Sequence, residues 1–346
     1  MKKLIILIAA IALLATPVHA LDIKAPEVPS SGQVFLPDNT ENFTQGLWEI
    51  IKEAVRYLKP SIASAAGTCL GVIATVMLVS LTKLIPGASE HTVMLVGTLG
   101  TAAALLSPSA ALIRCGAETV LELSRYGRLL IPVLTTALAA QGGISSSTAL
   151  YTGTIAFDAV LSSLASSLVI PMIYIFLVLA VASCTVGEPL LGKLKEFVKW
   201  LMTWSLKIIL YIFTGFIGIT GVVSGSVDAA ALKATKLTIS GVVPVVGGIL
   251  SDASEAVLVS AGVVKNAAGV YGLLAIIALW VGPFIEIGVQ YLLLKGTGAL
   301  CDGFGIKQVS GLIKDFSTAM GLLLAMTGTV CLLLMISVVC FMRGMA

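Results

Sequence analysis

The chain has 346 residues, of which 58% are hydrophobic and 11% are charged, and its formal net charge is +3. Soluble domains carry about 25% charged residues, so this composition excludes a water-soluble globular protein and indicates a membrane protein. The small net charge also excludes a broad basic surface for binding nucleic acid.

Residues 1–20 have the parts of a cleavable signal peptide. Two lysines come first, residues 4–15 form an apolar core, and Ala20 is a small residue at the predicted cleavage point. The apolar run is short for a transmembrane helix. An uncleaved signal anchor is the alternative, but Pro17 opposes it because it breaks the run.

Cleavage places the next residues outside the cytoplasm. Residues 21–42 are rich in Pro, Ser and acidic side chains, which predicts a disordered extracytoplasmic tether. Residues 43–59 carry apolar side chains at helical spacing, including Leu47 and Ile50, with charged side chains on the other face. This pattern predicts an amphipathic helix that lies on the outer membrane surface.

Residues 60–346 contain apolar runs that predict a transmembrane bundle. About six runs are long enough to cross, and they are Pro60–Thr82, Thr92–Ile113, Ala159–Gly187, Ile208–Val227, Asn266–Leu294 and Phe316–Met342. Two shorter runs, Leu129–Ala140 and Leu237–Leu250, each contain proline. They predict re-entrant or broken helices, which are tolerated only inside protein or beside a wet cavity. The predicted fold class is therefore an all-α polytopic helix bundle with interfacial helices.

Two connections are rich in lysine, and the positive-inside rule places both in the cytoplasm. These lysines are Lys193, Lys195 and Lys199 in one connection and Lys295, Lys307 and Lys314 in the other. The C-terminus is then outside. Counting the predicted spans from an external residue 21 puts Arg114, Arg125 and Arg128 outside, which opposes the positive-inside rule. Glu118 and Glu122 lie at helical spacing from these arginines and can offset their charge.

The two halves of the bundle show a weak resemblance to each other. Two pairs of prolines have the same separation in the sequence, and these pairs are Pro132 with Pro244 and Pro171 with Pro283. This spacing predicts a parallel repeat of about residues 92–200 and 204–312, with coincidence as the alternative. Short, proline-interrupted segments at matching positions are the usual indication of a transport path.

The sequence carries no motif that indicates catalysis, a cofactor or a metal site. Residues 187–193 read GEPLLGK, but Leu194 follows where a phosphate-binding loop needs Ser or Thr. After the leader the histidine is His91 alone, at a predicted membrane edge, and no nucleophile elbow is present. The six cysteines form no C-x-x-C pair and are interpreted as packing residues. We therefore predict that the protein is not an enzyme.

Six ionisable side chains lie in or beside apolar runs, where charge is costly and usually faces the bundle interior or water. They are Asp158, Glu188, Asp252, Glu255, Lys265 and Glu286. Glu286 has apolar neighbours on both sides and Gln290 one helical turn later, which predicts a polar lining or a subunit contact. Asp158 and Glu188 are interpreted as residues at membrane boundaries. A GxxxG pattern at Gly67 and Gly71 fits either a homo-oligomer or packing within the bundle.

Two segments carry a family resemblance. Residues 243–274 read VPVVGGILSDASEAVLVSAGVVKNAAGVYGLL, and residues 125–150 read RYGRLLIPVLTTALAAQGGISSSTAL. Both resemble the distinctive segments of the stage III sporulation protein AE family of endospore-forming Firmicutes. The matching positions, marked as candidate path or assembly residues together with Glu286, are Pro132, Gly142, Gly143, Pro244, Gly247, Asp252, Glu255, Lys265, Asn266 and Gly269.

This resemblance implies a sporulation protein without enzymatic activity, made in the mother cell and located in the membrane around the forespore. The implied partners, besides membrane lipid, are the other stage III A proteins and the forespore stage II protein Q, in a secretion-like channel complex. The expected role is to form or support a transmembrane path. A stand-alone secondary transporter and a non-conducting scaffold are the alternatives, and the scarcity of charge deep in the spans opposes the transporter.

Overall fold

The computed structural model describes residues 25–37, 42–82, 89–242 and 247–343, and of residues 90, 218–242, 247–261 and 264 it describes the backbone only. The described residues form helices joined by short connections, with no strand among them, which confirms the predicted all-α fold class. The helices are α1 (Ser30–Gln33), α2 (Phe43–Thr82), α3 (Glu90–Ala140), α4 (Ile144–Leu164), α5 (Ile170–Val186), α6 (Pro189–Val242), α7 (Gly247–Gly303) and α8 (Lys307–Arg343). A π-helical turn, Ala165–Val169, joins α4 to α5.

Within the described ranges, six stretches are long and apolar enough to cross a membrane, and each overlaps one predicted span. They are Phe43–Thr82, His91–Ala140, Ile144–Val186, Pro189–Ile217, Lys265–Gly303 and Lys307–Arg343. At the helical rise per residue, the 51 residues of α3 extend about 76 Å. The hydrocarbon core of a bilayer is only about 30 Å thick, so part of α3 lies outside the lipid or crosses it at a tilt.

The C-terminal part of α3 corrects one prediction. Leu129–Ala140, predicted as a separate re-entrant or broken helix, is the last part of α3, with Pro132 inside it. The helix continues through the charged residues 114–128, because charge interrupts a hydropathy pattern without stopping a helix. It ends beside Gly142, whose φ of 92° glycine adopts at little cost. The other predicted short piece, Leu237–Leu250, lies partly outside the described residues.

The segment before α2 also differs from the prediction. Residues 25–37, predicted as part of a disordered tether, contain α1 and pack on α7. Val28 and Phe35 are only 4% and 5% exposed, so two apolar side chains anchor a segment whose overall composition is polar. The predicted signal peptide, residues 1–20, lies outside the described residues.

α2 joins the predicted amphipathic helix and the first predicted span into one element, with Pro60 inside it. Residues 43–59 are helical, as their periodicity predicts. Part of their apolar face is covered by protein, because Ile50 is 1% exposed and packs with Leu274 and Ala278 of α7, whereas Ile51 stays exposed.

In the part of the chain that the structure describes, the helices of three antiparallel pairs, α2–α3, α5–α6 and α7–α8, have their adjoining ends at one end of the bundle. Lys195 at the start of α6 lies 2.6 Å from Asp315 of α8, which brings the turns of the second and third pairs together. The C-terminal end of α2 lies at the same end of the bundle, because α2 runs parallel to α7. The two lysine-bearing connections therefore share one end, as predicted, and the cytoplasmic location of that end stays a prediction.

The α7–α8 hairpin is the centre of the bundle. In the most apolar part of each helix, 56% of the residues of α7 and 61% of those of α8 are buried, against 28% for α2 and 22% for α6. The outer side of α6 exposes Phe197, Trp200 and Trp204 next to its lysines. Aromatic and basic residues side by side are typical of a membrane interface, so α2 and α6 are the peripheral helices whose outer faces meet lipid.

Candidate functional site

Glu286 of α7 has polar partners on two other helices. Its Oε1 accepts a hydrogen bond from the hydroxyl of Tyr57 in α2 at 2.5 Å. Its Oε2 lies 3.8 Å from the Sγ of Cys115 in α3, a weak donor. The carboxylate is therefore held where α2, α3 and α7 meet.

A cavity of about 370 Å³ lies beside this carboxylate, and we call it the α2–α3–α7 cavity. Hydroxyl-bearing residues and prolines from α2 and α3, together with an amide from α7, line much of it. These residues are Pro60, Ser61, Ser64, Thr68, Pro108 and Gln290.

The two prolines help to explain why the cavity lies at this level. Pro60 is inside α2 and Pro108 is inside α3. Neither has the N–H group that would bond the carbonyl four residues earlier, so the carbonyls of Arg56 and Ala104 lose their helical donors. Small side chains near both prolines leave space between the helices at this level.

Gln290 is the second polar group of α7 at the cavity. Its side chain is buried, with the residue 3% exposed, and its Nε2 has no hydrogen-bond partner among the described residues. An unpaired buried donor costs about 1–3 kcal/mol. A water molecule or a ligand oxygen in the cavity would satisfy this amide.

Glu286 also differs in charge balance from two other acids of the bundle. Asp158 lies 3.5 Å from the Nε of Arg128, and Asp315 lies 2.6 Å from the Nζ of Lys195. Among the described residues, no basic side chain lies within ion-pair distance of Glu286, whose contacts are an uncharged hydroxyl and a thiol. The Glu286 carboxylate is partly buried, and the described residues place no positive charge beside it.

Asp158 is not the membrane-boundary residue that its place in the sequence predicts. It is 1% exposed and lies inside the bundle. It accepts a hydrogen bond from the Oγ of Ser124 at 2.7 Å, and the Arg128 contact joins α4 to α3. Both partners lie on another helix, so the residues next to Asp158 in the sequence give no signal of this burial.

The fold brings together the two segments that carry the family resemblance. Gln141, in the connection between α3 and α4, lies against Gly262 of α7, and Leu130 lies against Gly272. Pro132, Gly142 and Gly143 belong to the first of these segments, so they share one region of the bundle with the second.

The other predicted site residues are distributed along α7. Lys265 and Gly269 are buried, Asn266 is exposed, and Glu286 lies about 30 Å further along the helix. The predicted set therefore occupies two places rather than one. For Gly247, Asp252 and Glu255 only the backbone is described, and Pro244 lies outside the described residues.

The chemistry available at the α2–α3–α7 cavity is that of one carboxylate, one amide and several hydroxyls. No group of three His, Cys, Asp or Glu side chains gathers as metal ligands within the described ranges. The arrangement can bind a polar or cationic species.

Comparisons with known proteins agree with the resemblance of the two segments. The stage III sporulation protein AE family matches residues 36–344, which include α2 to α8. Stage III sporulation protein AE of Bacillus subtilis (strain 168) is 23% identical over 188 residues, which are 54% of this chain and 47% of that protein. The matched part thus spans about half the length of that relative. No solved structure matches the chain.

Proposed function

The chain belongs to the stage III sporulation protein AE family, and from this premise we propose that it is a subunit of the mother-cell-to-forespore channel complex. Its partners in this proposal are the other stage III A proteins and, across the intermembrane space, the forespore stage II protein Q. It lies in the mother-cell-derived membrane around the forespore. There it forms or supports the transmembrane path that forespore development needs.

The observation that carries this proposal is the family match over a polytopic bundle that contains a polar cavity. Six apolar stretches make the chain a membrane protein. Between three of its helices, Glu286, Gln290 and hydroxyl groups provide a polar surface at the depth of apolar helices. Polar lining of this kind supports a path, whereas a purely structural scaffold has no need of it.

The end of the bundle opposite the hairpin turns offers a folded surface for partners. α1 and the first part of α2 cover α7 there, and the Oγ of Ser31 donates a hydrogen bond to Glu122 of α3 at 2.5 Å. Glu49 and Lys52 stay exposed on this surface. With the hairpin turns in the cytoplasm, this end faces the intermembrane space and is where we place the partner contacts.

Purification from sporulating cells tests the subunit proposal. The tagged full-length protein is isolated in mild detergent, and the proteins that accompany it are identified by mass spectrometry. We expect other stage III A proteins with this chain and none with an unrelated tagged polytopic protein. Lys52→Glu should reduce their recovery, whereas Lys193→Glu at the opposite end should not. Recovery of the unmodified chain without any stage III A protein would contradict the proposal.

Water access tests the path. In a variant without the native cysteines, Ser64→Cys and Thr68→Cys place thiols at the cavity, and Leu70→Cys places one on the outer face of the same helix, where Leu70 is 65% exposed. A water-soluble, membrane-impermeant thiol reagent should modify the two cavity positions faster than the outer one. Equal protection of all three would argue against a water-filled path at this place.

A stand-alone secondary transporter of a small solute is the second candidate, and the α2–α3–α7 cavity is the observation that favours it. A transporter works without partners, so the purified chain in lipid vesicles would take up its solute alone. A channel subunit would require the co-purifying proteins for transport. A non-conducting scaffold would transport nothing in either preparation.

A further inference from the structure

We propose that the α2–α3–α7 cavity is a binding site for a monovalent metal cation, with Glu286 as the charged ligand. The site is built entirely from this chain, so the inference goes beyond the subunit role and stands apart from the identity of the partners.

The negative charge of Glu286 has no positive partner among the described residues. Asp158 and Asp315 each have an arginine or lysine at ion-pair distance, but the hydrogen bonds to Glu286 come from Tyr57 and Cys115, which are neutral donors. The Glu286 carboxylate is partly buried, and a negative charge beside apolar helices is stabilised by an opposite charge close to it. Since no basic side chain of the described residues supplies that charge at Glu286, a cation from solution is the fitting counter-charge.

Several side-chain oxygen atoms surround the α2–α3–α7 cavity. Hydroxyls of Ser64 and Thr68 and the amide of Gln290 line the cavity with the carboxylate. Pro60 and Pro108, which also line the cavity, each remove one backbone N–H group from their helix. Carboxylate, hydroxyl and amide oxygens are ligands of hard cations.

The number of acidic ligands at the cavity favours a monovalent ion. A single carboxylate is present, whereas Ca²⁺ sites combine several acidic ligands and Mg²⁺ demands a near-octahedral, strongly hydrated site. The cavity of about 370 Å³ has room for roughly ten water molecules at about 30 Å³ each. A partly hydrated Na⁺ or K⁺ therefore fits, and a bound water can accept the unpaired Nε2–H of Gln290.

Carbodiimide labelling reports on this site directly. Dicyclohexylcarbodiimide forms a covalent adduct with a carboxyl group that takes up a proton in apolar surroundings, and a bound metal cation prevents that protonation. The purified full-length protein is treated in choline chloride, NaCl or KCl at equal ionic strength, and adducts are located by mass spectrometry. We expect several-fold less adduct at Glu286 in NaCl or KCl. Asp158 is the internal control, because Arg128 occupies the place of a cation there.

Thermal unfolding of variants provides the second measurement. NaCl or KCl should raise the unfolding midpoint of the unmodified protein above its value in choline chloride. Glu286→Gln should abolish the shift, because glutamine keeps an acceptor for Tyr57 but loses the charge. Tyr57→Phe keeps the carboxylate and should retain part of the shift. The site is supported if NaCl or KCl reduces carbodiimide labelling of Glu286, or if either salt raises the unfolding midpoint and Glu286→Gln abolishes that rise. Absence of both responses, or an undiminished shift in Glu286→Gln, overturns it.

Discussion

Two stretches of this bundle, Ile144–Val186 and Lys307–Arg343, have the same peak mean hydropathy of 2.5, yet they differ in where their side chains lie. In the most apolar part, 33% of the residues are buried in the first stretch and 61% in the second. Hydropathy therefore predicts which residues are buried away from water, but it does not predict whether they contact lipid or protein. Lipid tails are as apolar as leucine, so other forces select the helices of the centre.

Close approach and hydrogen bonds are what hold α8 in the centre. Gly321 leaves room for the ring of Tyr291 in α7, which would lie 3.3 Å from an added Cβ. The Oγ of Ser317 donates a bond to the carbonyl of Tyr291 at 3.0 Å, and the indole of Trp280 donates one to Thr327 at 3.3 Å. Small residues and polar contacts of this kind drive helix association in membranes.

The largest effect should come from filling the space between central helices. At Gly116 of α3, an added Cβ would lie 2.6 Å from Leu323 of α8, whose side chain is fully buried. We expect Gly116→Leu to lower the free energy of unfolding by about 1–3 kcal/mol, the usual cost of overpacking. Gly67→Leu on the outer face of α2 is the matched control, because nothing lies within 4 Å of a Cβ there.

Unfolding in detergent, followed by tryptophan fluorescence, measures both variants. The control should stay within about 0.5 kcal/mol of the unmodified protein. If Gly116→Leu and Gly67→Leu destabilise the protein equally, the central helices are not packed more tightly than the peripheral ones. Size-exclusion chromatography of Gly67→Leu tests a separate prediction, since loss of a larger species would reveal a homo-oligomer through the GxxxG face of α2.

A smaller effect is expected where an ion pair joins two helices. The Asp158 side chain is 2% exposed and that of Arg128 is 55% exposed, so solvent screens their interaction in part. A double-mutant cycle with Asp158→Asn and Arg128→Gln should give a coupling of about 1–2 kcal/mol in the free energy of unfolding. The exposed pair Glu53–Arg56 should give no more than about 0.5 kcal/mol. A coupling between Asp158 and Arg128 as small as that of the exposed pair would mean that burial of Asp158 does not strengthen this ion pair.

The sequence predicted those features of the fold that depend on residues close together in the chain. The six spans and the shared end of the two lysine-rich connections follow from local hydropathy and charge, and the structure confirms both. α3 and α6 run in the same direction, as the predicted parallel repeat requires, and the repeat itself stays a prediction. The continuity of α3 past its charged residues was missed, because a hydropathy pattern ends at a charge and a helix does not.

The candidate site was only partly predictable for a related reason. Glu286 and Gln290 stand out because they interrupt an apolar run and lie one helical turn apart. Their partners could not be found this way, since Tyr57 is 229 positions and Cys115 is 171 positions from Glu286. Pro60 was the available signal that α2 lacks one helical N–H group at this level, although nothing in the sequence says which helix faces it.

The smallest effect concerns a single hydroxyl at the central hairpin. Ser310 of α8 is fully buried, and its hydroxyl contacts two acceptors of α7, the carbonyl of Gly298 at 2.8 Å and the carboxylate of Asp302, so it ties the two helices together next to their turn. Ser310→Ala removes both contacts, which should cost about 1 kcal/mol in the free energy of unfolding. Thr214 on the outer side of α6 also donates at 2.8 Å, but to Leu210 of its own helix.

Thr214→Ala should therefore leave the stability nearly unchanged, because the Leu210 carbonyl keeps its helical donor and no second helix is involved. Unfolding of the two variants in the same detergent makes the comparison. If hydrogen bonds between helices hold the α7–α8 pair together, Ser310→Ala should lower the free energy of unfolding more than Thr214→Ala does. Equal losses would instead assign the position of α8 to shape alone, and the close approaches at Gly321 and Gly116 would then have to explain it.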